Sequence, residues 1–233
     1  MDDRVALITG ASMGLGRAVA AELTRRGWRV VGDARDSARL ARAVRSMPHP
    51  GAVTAVPGDV ADPAHRRLLA DAVTSADRLD LIVNNASVLG PSPQPPLADY
   101  PIAELEHVYA VNTLAPLAVL QLVMPSLERS AGRVINVSSD AAAEAYEGWG
   151  GYGSAKAALD QLTAVLALEH PRIRVYAFDP GDMATDLHRQ AVPGHDLSDL
   201  PTPEEVVPAL MRLVTGGHPS GRYRASDLAP AAA

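Results

Sequence analysis

A tyrosine and a lysine four residues apart, Tyr152 and Lys156, stand in a segment with helical periodicity. On a helix, this spacing places both side chains on the same face. An unperturbed phenol has a pKa of about 10, and an adjacent ammonium lowers that pKa because it favours the phenolate. The pair therefore predicts a tuned acid and base, with Tyr152 as the group that donates and accepts the proton.

Lys156 is the only lysine of the chain, and every other cation is an arginine. The composition thus favours arginine wherever a general positive charge suffices. A retained lysine indicates a position that needs a compact ammonium able to exchange its proton. The scarcity of lysine strengthens the assignment of Lys156 to a catalytic site.

A glycine-rich loop, residues 9–16 (TGASMGLG), lies between the first predicted strand and the first predicted helix. Its first glycine permits a sharp turn, and the other two let the backbone approach a pyrophosphate. The start of the following helix supplies free N–H groups and the positive end of the helix dipole. The predicted contacts with the cofactor are Gly10, Ser12, Met13, Gly14, Leu15 and Gly16.

Short apolar segments alternate with longer helical segments along the chain. The predicted strands are Val5–Thr9, Arg29–Gly32, Val53–Pro57, Leu79–Asn84, Arg133–Ser138 and Arg172–Phe178. The predicted helices are Gly14–Arg26, Ser37–Ser46, Ala64–Ala76, Ile102–Glu128 and Tyr152–Glu169. This alternation predicts the α/β class, with a doubly wound parallel sheet of Rossmann type. We expect one domain over residues 1–228 and a disordered tail over 229–233.

The motifs resemble those of the short-chain dehydrogenase/reductase family in their order and spacing. The glycine loop has the family's form TGxxxGxG, and Tyr152 and Lys156 match YxxxK. Asn84-Asn85-Ala86 matches three residues of the family's NNAG, with Ser87 in place of the glycine. Pro180-Gly181 followed by Thr185 matches PGxxxT. The resemblance covers residues 4 to about 186 and is weaker over the last part of the chain.

The resemblance implies a hydride transfer between a nicotinamide cofactor and a carbonyl or alcohol, with Tyr152 handling the proton. Ser139 precedes Tyr152 by the family's spacing of 13 residues and would hydrogen-bond the substrate oxygen. Asn112 would bend the long fourth helix and hold a water that leads to Lys156. Further cofactor contacts implied by the resemblance are Asp59, Val60, Asn85, Ala86, Tyr152, Lys156, Pro180, Gly181, Met183 and Thr185.

The end of the second strand bears on the choice between the two nicotinamide cofactors. Members that prefer NAD carry an acid at the position that Ala34 holds here. Arg35 follows directly, and its guanidinium suits the 2′-phosphate of NADP. Asp33 and Met13 argue the other way, because Asp33 would repel a phosphate and Met13 replaces a cation common in NADP enzymes. These residues favour NADP(H) over NAD(H), with Arg35 as the phosphate contact.

The substrate is a small carbonyl or alcohol that the sequence does not specify further. Residues 182–200 are the predicted lid, and their two histidines are more typical of a solvated loop than of metal ligands. Three acids lie at 140–147; they either select a basic substrate or form a solvated rim, and the rim is favoured. Tyr146 and Trp149 are candidates for an aromatic pocket wall. No metal site is predicted.

The bulk composition limits the partners. The net charge of −6 argues against nucleic acid, and the absence of cysteine excludes disulfides and thiolate metal sites. No signal peptide or membrane-spanning segment is recognised, so we expect a cytoplasmic protein without a membrane partner. The apolar surfaces of the fourth and fifth predicted helices indicate a homodimer or homotetramer.

Two other functions remain open at this stage. The scaffold could serve a reaction without net redox change, such as dehydration or isomerisation, or it could be a cofactor-sensing binding protein. The four predicted catalytic residues, Asn112, Ser139, Tyr152 and Lys156, favour the oxidoreductase over both. Turnover of a reduced cofactor with a carbonyl compound would discriminate these functions.

Overall fold

The computed structural model describes residues 4–228. The predicted tail, residues 229–233, lies outside the described residues, as do the first three residues. Within the described range the chain forms one parallel sheet covered on both faces by helices, which confirms the predicted Rossmann-type α/β class.

The sheet has seven strands in the order β3-β2-β1-β4-β5-β6-β7, and each neighbouring pair is parallel. The strands are β1 Val5–Ile8, β2 Arg29–Ala34, β3 Val53–Pro57, β4 Leu81–Asn84, β5 Arg133–Val137, β6 Arg174–Asp179 and β7 Gly221–Arg224. The order reverses between β1 and β4, which opens a crevice at the carboxyl ends of these strands.

Eight α-helices lie on the two faces of the sheet within the described residues. They are α1 Gly14–Arg25, α2 Ser37–Arg45, α3 Pro63–Ser75, α4 Ile102–Tyr109, α5 Ala115–Arg129, α6 Gly150–Glu169, α7 Asp186–Ala191 and α8 Pro203–Thr215. One buried apolar cluster joins the sheet to α1, α2 and α8. A second cluster joins the opposite face to α3, α5 and α6. Both faces of the sheet are therefore buried, as a parallel sheet requires.

The predicted long fourth helix is interrupted. A π-helical turn over Ala110–Leu114 separates α4 from α5 and contains Asn112. A π turn adds a residue to the helical repeat and is common where a helix carries a functional side chain. The helical segment over Ile102–Arg129 is long and apolar enough to cross a membrane, but 56% of its most apolar window is buried inside the protein. This burial is typical of a helix that packs its apolar face against a sheet.

Three elements beyond the predicted ones appear near the carboxyl end of the described chain. Helix α8 begins at Pro203 after a capping box formed by Thr202 and Glu205, a signal that the sequence does contain. Helix α7 lies inside the predicted lid. Strand β7 (GRYR) is short and strongly charged, so it does not have the apolar pattern by which a strand is recognised.

Candidate active site

A cleft of about 510 Å³ opens at the carboxyl ends of the strands. This volume is typical of small-molecule and cofactor sites. Of the predicted site residues, the cleft is lined by Gly10, Ser12, Met13, Gly14, Leu15, Arg35, Asp59, Val60, Asn85, Ala86, Ser139, Tyr152, Lys156, Pro180, Gly181, Met183 and Thr185. Gly16 and Asn112 are not part of the lining and lie behind the wall.

The glycine loop has the geometry of a phosphate site. Gly10 has a φ of +70°, and a Cβ placed on Gly16 would lie 2.4 Å from the Gly10 carbonyl oxygen, so neither position accepts a side chain without a shift. Helix α1 begins at Gly14, no side chain caps it, and its first turn has no acid. Its first N–H groups therefore remain available to an anion. These features fit the pyrophosphate of a dinucleotide.

The amide of Asn85 joins this loop to the end of β4. Its Nδ2 donates to the carbonyl oxygens of Thr9 and Gly10 at 3.0 and 3.2 Å. In return, the Thr9 hydroxyl oxygen accepts from the backbone N–H groups of Asn85 and Ala86, both at 3.0 Å. The side chains of Thr9 and Asn85 thus hold together the loop that follows β1 and the segment that follows β4.

Asp33 lies in the wall of the cleft at the end of β2, where two neighbouring groups hold its carboxylate. It is 1% exposed. One carboxylate oxygen accepts from the Gly10 N–H at 2.8 Å, and the other lies 3.1 Å from Nε2 of the buried His65. Burial raises the pKa of the Asp33 carboxyl. The carboxyl group therefore stabilises the turn of the phosphate loop, and its raised pKa weakens the repulsion expected between Asp33 and a 2′-phosphate.

The end of the cleft beside β2 carries charges of both signs, with Arg35 and the acids Asp33 and Asp59 in its lining. Ala34 is buried and adds no charge, whereas Arg35 is exposed and lines the cleft. A second guanidinium, that of Arg39 at the start of α2, donates to the Met13 sulfur at 3.0 Å. Arg39 also lies 3.8 Å from the Asp186 carboxylate of α7. The positively charged Arg39 side chain therefore lies beside Met13, although Met13 itself is uncharged.

Two further segments complete the cofactor end. Asp59 follows β3, and one oxygen of its carboxylate accepts from the Ala61 N–H at 2.9 Å, which holds the adjacent Val60 in the lining. After β6, the N–H of Gly181 donates to Asp179 at 3.0 Å. The Thr185 hydroxyl oxygen then caps α7 by accepting a hydrogen bond from the backbone N–H of His188 at 3.2 Å.

Tyr152 and Lys156 lie on the first turns of α6 and form part of the floor of the cleft. Tyr152 is 6% exposed and Lys156 is 2% exposed. The Lys156 ammonium donates to the Val137 carbonyl oxygen at 2.7 Å and lies 5.5 Å from the centre of the Tyr152 ring. Burial lowers the pKa of Lys156 to about 8. It also raises the pKa of Tyr152 to about 12, opposite to the lowering expected from the neighbouring ammonium.

Ser139 stands at the end of β5, on the same side of the cleft as Tyr152. Its hydroxyl donates to the Asp140 carboxylate at 2.8 Å, while its carbonyl oxygen accepts from the Arg222 guanidinium of β7 at 2.9 Å. Arg222 also pairs with Asp160 and Asp179, both at 3.0 Å. The backbone of Ser139 is thereby held by a residue of the last strand.

Asn112 is 1% exposed and bonds to the segment that follows β4. Its Oδ1 accepts from the Val88 N–H at 2.9 Å and from the Ser87 hydroxyl at 3.2 Å. Its Nδ2 donates to the Val88 carbonyl oxygen at 2.8 Å. The side chain of the π turn therefore fixes the wall opposite α6.

The substrate side has several residues that sequence reasoning did not select. Glu104, His107 and Val111 line the cleft from one face of α4 and the π turn, and their spacing of three and four residues from one another is the signal that could have identified them. The lid contributes Leu187, His188, Gln190 and Ala191. Within residues 4–228, no cluster of three or more possible metal ligands is found.

The candidates at the rim divide into lining and outer residues. Trp149 lines the cleft and packs edge-on against Tyr152, with ring centres 5.9 Å apart. Tyr146 is outside the lining and donates to Asp140 and Glu144, both at 3.0 Å. Glu144 in turn pairs with Arg224 at 2.7 Å. Because these acids already have partners, the geometry favours a structural rim over a site for a basic substrate.

Comparison with known proteins identifies the family. The chain matches the short chain dehydrogenase family over residues 4–196. It is 36% identical over 195 residues to the rhamnolipids biosynthesis 3-oxoacyl-acyl-carrier-protein reductase of Pseudomonas aeruginosa, covering 80% of this chain and 75% of that protein. It is 32% identical over 204 residues to mouse sepiapterin reductase, covering 80% and 77% of the two chains.

A solved structure extends the similarity to almost the whole chain. A short chain dehydrogenase of Shigella flexneri, complexed with NADP, superposes with a TM-score of 0.90 at 26% identity and covers 97% of this chain and 98% of that chain. The chain therefore belongs to the short chain dehydrogenase family and is a NAD(P)-dependent oxidoreductase.

Proposed function

We propose that the protein is a carbonyl reductase that uses NADP(H) and protonates its substrate with Tyr152. The observation that carries this proposal is the buried pair of Tyr152 and Lys156 in the floor of a cleft whose other end is a phosphate loop. The related proteins named above as reductases support the same direction of reaction.

The residues of the catalytic end have complementary roles in this proposal. A nicotinamide cofactor, when bound in its reduced form, supplies the hydride that the carbonyl carbon accepts. Ser139 turns its hydroxyl from Asp140 to the substrate oxygen, and Tyr152 donates its proton to that oxygen. Lys156 holds a positive charge beside the phenol, and Asn112 supports the opposite wall and the water that leads to Lys156.

The protonation state of Tyr152 supports reduction at neutral pH. A phenol whose pKa is raised to about 12 carries its proton at pH 7 and is ready to act as an acid. Oxidation of an alcohol needs the phenolate first, so its rate should rise with pH up to the pKa that applies in the loaded enzyme. The two directions should therefore have opposite pH dependences.

Two arginines near the end of β2 support NADP(H) over NAD(H). Arg35 lines the cleft and would hold the 2′-phosphate, Arg39 contacts Met13 of the phosphate loop, and Ala34 provides no acid to bind the ribose hydroxyls of NAD. The NADP bound to the Shigella flexneri relative is consistent with this preference. Residues 182–200, including α7, would act as the lid over the substrate.

Turnover and binding together test this function. The purified protein is mixed with NADPH or NADH and a panel of ketones and aldehydes, and the loss of reduced-cofactor absorbance is followed. Consumption of NADPH that depends on a carbonyl compound supports the proposal. Tight cofactor binding without turnover on the entire panel would contradict it in favour of a cofactor sensor, and product formation without cofactor consumption would indicate a reaction without net redox change.

We also propose a cytoplasmic homo-oligomer with no membrane or nucleic-acid partner. Four apolar side chains project outward from α5, the π turn and α6: Leu114, Leu122, Val165 and Leu168, exposed by 57%, 45%, 39% and 83%. Pairing of these helices about a two-fold axis would bury them. Light scattering at micromolar concentration should report a dimer or tetramer, and a monomer would contradict the proposal. The variant Leu168→Glu should shift the distribution towards smaller species.

A further inference from the structure

Arg222 of β7 bonds to three segments that carry the catalytic end of the cleft. Its Nη2 donates to the Ser139 carbonyl oxygen at 2.9 Å and to the Asp179 carboxylate at 3.0 Å. Its Nε donates to the Asp160 carboxylate of α6 at 3.0 Å. One guanidinium therefore joins the ends of β5 and β6 to the helix that holds the proposed acid.

Ser139 lies just beyond the regular pairing of its strand. The ladder between β5 and β6 ends at the pair of Val137 and Phe178. Beyond it, the Ser139 carbonyl oxygen accepts from the Ala142 N–H at 3.1 Å, within its own turn, and from Arg222 at 2.9 Å. Arg222 therefore fixes the peptide group that follows Ser139 from a different part of the chain.

The charges around Arg222 hold its side chain in one orientation. The Arg222 side chain is 28% exposed, and that of Asp179 is 3% exposed. Asp179 binds Arg222 through Oδ2, while its Oδ1 accepts from the Gly181 N–H at 3.0 Å. Oδ1 of Asp160 is buried and has no hydrogen-bond partner within the described residues, so this carboxylate relies on Arg222 through its other oxygen. A guanidinium fork between two carboxylates has little freedom to rotate.

We propose that Arg222 is a positioning residue for carbonyl reduction, because it fixes the orientation of Ser139 from the last strand. This inference rests on the proposed role of Ser139 as the hydrogen-bond partner of the substrate oxygen. The peptide group that Arg222 holds also places Asp140, whose carboxylate accepts from the Ser139 hydroxyl at 2.8 Å. Arg222 is not part of the cleft lining, so it acts through Ser139 and not on the substrate. A small misplacement of a group that binds the reacting atoms lowers the rate strongly.

A double-mutant cycle separates this role from a general contribution to stability. In the otherwise wild-type protein, Arg222→Ala should lower kcat for carbonyl reduction about ten- to a hundred-fold. The affinity for NADPH should stay within a few-fold, because Gly181 bonds to the other oxygen of Asp179. In the Ser139→Ala background, the same substitution should lower kcat by less than about two-fold, because the hydroxyl that Arg222 positions is already gone.

Arg224→Ala is the matched control for the loss of a cation from β7. Arg224 pairs with Glu144 at 2.7 Å and lies 3.8 Å from Asp179, and none of its contacts within the described residues reaches Ser139. Its side chain is exposed, so its ion pair contributes little. Arg224→Ala should therefore leave kcat within about two-fold of the wild-type value.

A second measurement reports the contact without turnover. The sequence contains three Ser-Asp pairs, which begin at residues 139, 198 and 226. Serine labelled with ¹³C at the carbonyl and aspartate labelled with ¹⁵N therefore give three signals in an HNCO spectrum, and the Ser139 signal is assigned by its loss in Ser139→Ala. Loss of a hydrogen bond to a carbonyl group moves its ¹³C resonance upfield. The Ser139 signal should move upfield in Arg222→Ala and stay in place in Arg224→Ala.

If Arg222→Ala does not fold, Arg222→Lys is measured in its place. Lysine keeps the charge beside Asp179 but offers one nitrogen instead of a fork, so both effects should persist at a smaller size. An unmoved Ser139 signal, or an equal loss of kcat with and without the Ser139 hydroxyl, would overturn the inference about Arg222. Full activity of Ser139→Ala, or a wild type that reduces no carbonyl compound, would overturn the proposed function instead.

Discussion

The two ends of the cleft present different kinds of chemical group. The cofactor end offers backbone N–H groups at the start of α1, shaped by Gly10 and Gly16. The catalytic end offers buried ionisable side chains, Tyr152 and Lys156, whose pKa values are strongly shifted. Backbone groups cannot be removed by substitution and change little with pH, whereas the side chains can be removed and titrated. Substitutions and pH changes should therefore act directly on the catalytic groups, whereas they should change the backbone N–H groups of the cofactor end much less.

The largest effect is expected at the catalytic end, where Tyr152→Phe removes the proposed proton donor. Loss of a general acid reduces turnover by about 10²- to 10⁴-fold. Phenylalanine keeps the edge-on contact with Trp149, so the affinity for NADPH, measured by fluorescence titration, should stay within a few-fold. A large loss of cofactor affinity would show that the two ends are not separable in this way.

The next effect belongs to the cofactor end. Arg35→Ala should raise the KM for NADPH by about ten- to a hundred-fold and leave that for NADH almost unchanged, because only NADPH carries the 2′-phosphate. Arg42→Ala, on the exposed side of α2, changes the net charge equally and serves as the control. Equal losses for both cofactors, or the same loss in the control, would contradict a specific contact with the phosphate.

A third prediction concerns stability and pH at the catalytic end. The pKa of Lys156 is lowered to about 8 in the folded protein, whereas an unfolded lysine titrates near 10.4, so between these values the unfolded chain binds a proton that the folded chain lacks. The stability of the wild type should therefore rise with pH across that window. Lys156→Met should add about 1 to 2 kcal/mol below pH 8, and the gain should vanish above pH 10.4. Urea unfolding of the wild type and of Lys156→Met at several pH values measures both stabilities. A gain in stability that does not depend on pH would contradict a lowered pKa of Lys156.

The smallest expected effect comes from Asp33, which stabilises the phosphate loop through Gly10. Asp33→Ala should weaken NADPH and NADH alike, by about three- to ten-fold, because it leaves the Gly10 N–H without its acceptor. The ratio of kcat/KM for the two cofactors should stay constant. A variant that loses only NADH would identify Asp33 as a ribose ligand and reverse the assignment made from its buried contacts.

The sequence predicted the turn of the glycine loop and the start of α1, because glycine spacing reports backbone conformation directly. It also predicted that the spacing of Tyr152 and Lys156 places them together, and the structure places both on α6. It did not indicate that the Asp33 carboxyl group is buried, since this depends on the contact with His65, which α3 brings from elsewhere in the chain. Nor did it identify Glu104, although the helical spacing of α4 contains that signal, or β7, whose position depends on pairing with β6.

The contact between Arg222 and Ser139 has a consequence for how the protein folds. The two residues are 83 positions apart in the chain, and the hydrogen bond requires β7 to be paired with β6. Contacts between distant segments form late, after the entropy of closing the intervening chain has been overcome. The contacts that hold the phosphate loop, from Gly10 to Asp33 and to Asn85, use only the first half of the chain and can form before β7 is synthesised. During synthesis, the ability to bind the cofactor should therefore be acquired before the ability to orient a carbonyl for reduction.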